Sequence, residues 1–208
     1  MRKILLPSLI LLFTLSSSPA RAFSLSVPFT SQSPFGHWVE PYENFCEEAS
    51  VVMTAHFIWG FSLSREIADF EMNIIKQYEE IVLGDYKDTS MNDTANILKN
   101  LYGFKNIVVK EVSNTSVIKN ELLRGNVVIV PVAGRMLGNP YFVPPGPLYH
   151  VLLIKGFDDT TGDFIANDPG TQHGNGYHYN QYVLFNAIHD WNKGDVMKGR
   201  KMMIVAGR

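Results

Sequence analysis

One cysteine, six histidines and 20 acidic side chains are the residues of this 208-residue chain best suited to covalent or proton-transfer chemistry. The cysteine, Cys46, opens a stretch in which Ala49, Val52, Met53, His56 and Phe57 recur at intervals of three and four. That spacing predicts one buried helix face, ending near Gly60. A thiol attacks as its thiolate, and a helix N-terminus with an imidazole nearby lowers its pKa. Asn44 is the expected N-cap, and Glu47 and Glu48 fall in the first turn, where acidic side chains suit the helix dipole. The same two carboxylates oppose ionisation of the sulfur, so activation falls to an imidazole.

Of the six histidines, His56 shares the apolar face of the Cys46 helix and is expected in the core. His37, His173 and His178 lie in turn-rich, glycine-containing stretches, and His189 follows a short predicted helix. His150 differs because it opens the strand-like run HVLLIKGF. Residues 158–162 read as a hairpin turn, after which the returning strand would bring Asp168, in Asn-Asp-Pro-Gly, back beside His150. Pro169 also biases Asp168 toward an extended backbone. A carboxylate there would fix the imidazole tautomer and stabilise its charged form. Gln32, between Ser31 and Ser33, is a candidate side-chain donor for an oxyanion. His150, Asp168, His173 and His178 show no metal-ligand spacing, and neither a metal nor another cofactor is expected.

Four helices are expected to position these groups, from Cys46 to Gly60, from Ser64 through Ile75, over 93–101 with a stop at Gly103, and over 116–123 ended by Gly125. Strands are predicted over 107–112, 127–132, 149–156, 164–167 and 201–206, and residues 27–32 read as an extended segment. Helices first and strands second imply an α+β domain with a mainly antiparallel sheet.

Residues 1–22 combine a basic start, an apolar run of about a dozen residues and Ala20-Arg21-Ala22, the pattern of a secretory signal peptide. The run is short for a bilayer span, which takes roughly 20 residues. One exported domain over 23–208, with no membrane insertion once the signal is removed, is the expectation. The whole chain carries 18 basic against 20 acidic residues, and removing the signal takes away three basic and no acidic ones, which argues against nucleic acid as a partner. A single cysteine excludes an internal disulfide.

In order, VPFTSQ, Trp-x-x-Pro-Tyr, CEEAS, YHVLLIKGF and ANDPGT resemble the motifs of papain-like peptidases related to the bacteriocin leader-processing enzymes, the peptidase family C-thirty-nine and its stand-alone relatives. The resemblance runs from Val27 to about Trp191 and implies a papain-like fold. It places Cys46 on a central helix as nucleophile, His150 and Asp168 on the sheet as base and orienter, and Gln32 in the oxyanion hole. The implied activity is amide-bond cleavage of a peptide or protein substrate through a thioester, or acyl transfer if an amine replaces water. The leader-processing enzymes usually have glycine after the cysteine, where this chain has Glu47. A rival reading is a non-catalytic module that binds peptides or cell-wall fragments through the aromatic segments 35–42 and 139–149.

Overall fold

The computed structural model describes residues 21–208. The segment read as a signal peptide thus lies outside the described residues except for Arg21 and Ala22. Seven strands form one antiparallel sheet: β1 (Ala22–Ser24), β2 (Ile107–Glu111), β3 (Val127–Val132), β4 (His150–Asp158), β5 (Asp163–Asn167), β6 (Tyr177–Asn180) and β7 (Met202–Ala206). Their order is β2-β7-β3-β4-β5-β6, with β1 pairing the far end of β4. The five α-helices among the described residues are α1 (Cys46–Trp59), α2 (Arg65–Val82), α3 (Met91–Asn96), α4 (Thr115–Leu123) and α5 (Gln181–Ala187). The chain is α+β, as its order of patterns predicts.

Strand alternation sorts the core into two layers, because successive side chains leave a strand on opposite faces. Val127, Ile129, Val151, Leu153, Ile204 and Ala206 face the layer under α1, α2 and α3. Val128, Val130, Leu152, Ile154, Met203 and Val205 face the layer under α4 and α5. Both faces of the sheet are therefore covered, which is why β3 is buried at every position and reads in sequence as a continuous apolar run.

α1 is the inner helix, with every residue from Cys46 to Phe57 buried. It packs on β4 and on α2. Gly60 ends it in a left-handed conformation (φ 74°) that its missing Cβ permits. His56 is a core residue, with Nδ1 at 2.9 Å from the Ser62 carbonyl and Nε2 at 3.0 Å from Glu71. Ser64 caps α2 through its hydroxyl, which accepts from the Ile67 amide.

Several local expectations change. Phe45, not Asn44, precedes α1, and no side chain caps that helix; Asn44 belongs to a 3₁₀ turn (Tyr42–Asn44). The third helix continues past α3 as a π-helical stretch (Ile97–Leu101). Residues 27–32 are extended in sequence pattern but join no strand. β6 arises where glycines at 174 and 176 suggested only turns, and on α2 Ile67, Phe70 and Ile74 face outward while Ile75 is buried.

The α1–α2 contact buries two carboxyls against each other. Neither Glu48 nor Glu79 has any exposed surface, and none of their four oxygens meets a donor from another group. Such a pair persists by keeping its protons. Burial, reinforced by the Glu79 and Glu47 charges, pushes Glu48 well above the carboxylate range. Burial and the Glu47 charge carry Glu79 up to about 9. The unfolded chain releases these protons above about pH 4.5 while the native chain holds them, so this stabilisation is complete below that pH and is lost on the way to about pH 9. Calorimetry from pH 5 to pH 9 should show a falling Tm. Glu79→Gln should flatten that slope and raise the Tm at pH 9 over wild type by about 3 °C, the shift for ~1 kcal/mol in a domain of this size.

Candidate active site

Cys46, the first residue of α1, is buried with 6% of its surface exposed. His150 begins β4, and Asp168 follows the end of β5, so the β4–β5 hairpin brings the two together. His150 Nε2 lies 2.7 Å from Asp168 Oδ1. A carboxylate only accepts hydrogen bonds, so Nε2 carries the proton and Nδ1 is left as the basic nitrogen. Cys46, His150 and Gln32 all line one cavity of about 670 Å³.

Asp168 is held on several sides. Its Oδ1 also accepts from the Gly170 amide at 2.9 Å, and its Oδ2 accepts from the Tyr179 hydroxyl and from Asn139 Nδ2 at 3.4 Å. Burial works to raise its pKa, but the His150 charge and the His150, Tyr179 and Gly170 hydrogen bonds outweigh it and keep the carboxyl below its ordinary value. Two glycines admit this geometry by lacking a side chain. A Cβ at Gly174 would collide with the Asp168 carbonyl, and one at Gly170 would press on the His150 ring at 2.8 Å and on Phe142 at 2.9 Å.

Gln32 is fixed by its amide N–H bonding to the Pro169 carbonyl at 2.9 Å and by Nε2 donating to the Tyr42 carbonyl at 2.9 Å. A primary amide has a second hydrogen to offer, and Gln32 shares the cavity with Cys46. The cavity also has an aromatic wall of Trp38, Tyr141, Phe142 and Tyr149. Tyr141 stacks on His173 with 4.3 Å between ring centroids. His173 is thus a wall residue, and His178 pairs with Asp163 at 3.4 Å on the surface. Among the described residues no group of His, Cys, Asp and Glu is arranged to hold a metal ion.

The sulfur environment is acidic. Cys46 Sγ donates to Glu47 Oε2 at 2.9 Å. Burial first, then the Glu47 charge and hydrogen bond and the Glu48 charge, push the thiol well above its ordinary value, while the Val151 backbone N–H pulls the other way. Sequence reasoning placed Glu47 beside the sulfur but not in contact with it. It also missed Tyr179 and Asn139, although the alternation Tyr177-His178-Tyr179 before the helix-capping Asn180 is a strand signal that could have found the first.

With this geometry in view, the comparisons with known proteins place the chain. The sequence matches the Peptidase_C39 like family over residues 24–193, and the chain belongs to that family. The fold is similar to that of a candidate C39-like peptidase from Bacillus anthracis, solved by crystallography, with a TM-score of 0.52, 12% identity, and 90% of this chain and 98% of that one covered. No curated protein matches the sequence. Family and fold together point to a cysteine peptidase.

Tyr179→Phe removes one donor to Asp168 and leaves Oδ2 with only the long Asn139 contact. The loss should amount to ~1.5 kcal/mol, the worth of one hydrogen bond to a charged group. Iodoacetamide alkylation of Cys46 should slow about tenfold, with circular dichroism unchanged.

Proposed function

We propose that this chain hydrolyses peptide bonds through a Cys46 thioester. The observation that carries the reading is the buried 2.7 Å His150–Asp168 pair, whose histidine lines the same cavity as a cysteine at a helix start. A binding module would gain nothing from an imidazole whose tautomer is fixed with its basic nitrogen free.

In the proposed reaction His150 Nδ1 takes the Cys46 proton, and the thiolate attacks the substrate carbonyl carbon. The carbonyl π electrons move to oxygen, where the Gln32 amide and the Cys46 backbone N–H stabilise the negative charge. Collapse of the tetrahedral species breaks the C–N bond, and the imidazolium gives its proton to the leaving amine. Water, deprotonated by His150, then attacks the thioester, and the acid product leaves as the thiol re-forms. Asp168 stays ionised throughout and holds the imidazole in place. An amine in place of water would give acyl transfer with the same residues.

The aromatic wall and the cavity size suit a short stretch of extended peptide. Incubation with a denatured-protein or peptide library, read by mass spectrometry, should show new termini with wild type and none with Cys46→Ala or His150→Ala. At pH 6, His150→Ala should also slow alkylation of Cys46 by at least ~100-fold, as expected for losing a general base. Equal, free-thiol rates in both proteins, with no cleavage, would leave the binding module as the better reading.

A further inference from the structure

Two of the buried carboxyls behind the nucleophile, Glu48 and Glu79, serve the α1–α2 contact, but the third touches the sulfur itself. Glu47 is 1% exposed, takes the Cys46 thiol hydrogen on Oε2 at 2.9 Å, and accepts the Thr89 backbone N–H on Oε1 at 3.0 Å. The Thr89 amide, from the segment between α2 and α3, therefore holds the carboxylate on the sulfur. We propose that Glu47 is a positioning residue that sets the protonation state of Cys46. Ionised, it keeps the sulfur as a thiol, and protonated, it becomes a donor to the thiolate, so that the site is active on the acid side of neutrality. This inference rests on the reading of Cys46 as nucleophile.

The proton balance is simple. Glu47 takes one proton from solvent; the Cys46 proton passes to His150; and the Glu47 O–H then donates to the sulfur anion. One negative charge has left the neighbourhood of the thiolate, and a hydrogen bond that favoured the thiol now favours the thiolate.

The groups facing Glu47 determine when this happens. They are Cys46 and Glu48 on α1, Glu79 on α2, Asp88 beside Thr89, and Tyr149 just before β4, with His150 next to it on the cavity wall. Among them the Asp88 carboxylate raises the cost of a charge on Glu47. Burial, with the Asp88 charge added and the Cys46 and Thr89 hydrogen bonds opposing, pushes the Glu47 carboxyl up to about 7. Glu79, up to about 9, and Glu48, well above its ordinary value, keep their protons through that range. Glu47 is therefore the member of the trio that changes charge near neutrality.

The test is the rate of iodoacetamide alkylation of Cys46 in the intact protein from pH 5 to pH 9, located by peptide mass spectrometry. Wild type should react about tenfold faster at pH 6 than at pH 8, the effect of one unit in the thiol pKa. In Glu47→Gln the amide keeps the Thr89 bond through its oxygen and offers the sulfur a permanent N–H. Its rate should not fall over this range and should exceed wild type about tenfold at pH 8. A wild-type rate that climbs steadily through neutrality, as for an ordinary thiol, overturns the proposal even if the variant does not fold. Fast alkylation in both proteins with superimposable profiles overturns the role of Glu47 alone. Free-thiol rates at every pH in both would instead remove Cys46 as nucleophile, and this inference with it.

Discussion

The site depends on a single register, that of the β4–β5 hairpin. His150 stands at the start of one strand and Asp168 just past the end of the other, so the 2.7 Å contact between them forms only if the strands pair as they do. A slip of one residue would turn either side chain to the opposite face of the sheet. The pairing accommodates an irregularity between Ile154 and Gly156. At Gly156 the backbone of β1 passes so close that a side chain has no room. β3 and α1 then fix β4 from its edge and from one face, which brings the start of α1 to the same cavity as His150.

Asp168 and Glu47 show two ways of burying a carboxylate. Asp168 is surrounded by donors, including His150, Tyr179 and the Gly170 amide, and remains ionised in a dry place. Glu47 has donors of its own, the thiol and the Thr89 amide, but burial outweighs them and the Asp88 charge adds to it. The nucleophile lies between these regimes, with a base whose charge is supported on one side and a carboxyl whose charge is opposed on the other. Relatives with glycine after the cysteine have no side chain to take part in such a balance.

Much of this arrangement was legible in the sequence because it rests on local signals. Helical spacing after Cys46 gave α1 and the buried His56. The HVLLIKGF run gave β4, and a turn followed by Asn-Asp-Pro-Gly brought Asp168 back to His150. What was not legible depends on contacts far apart in the chain. Tyr179 meets Asp168 only because β6 pairs with β5, and β6 is four residues preceded by glycines at 174 and 176. Asn139 reaches the same carboxylate from a loop. α2 shows a different limit: apolar residues at helical spacing marked the helix correctly but not its buried face, since Ile67, Phe70 and Ile74 are outside and Glu79 is inside. No rule of patterning puts a glutamate in a core; a carboxyl that keeps its proton can stay there.

The paired carboxyls of α1 and α2 also alter what the protein looks like from a distance. The formal charge of -2 and the isoelectric point of about 6.3 count Glu48 and Glu79 as anions. In the folded chain they retain protons at neutral pH, so the native molecule is less negative than its composition states. Native and denatured forms of the same chain thus migrate differently in a pH gradient, the native form focusing at the higher pH.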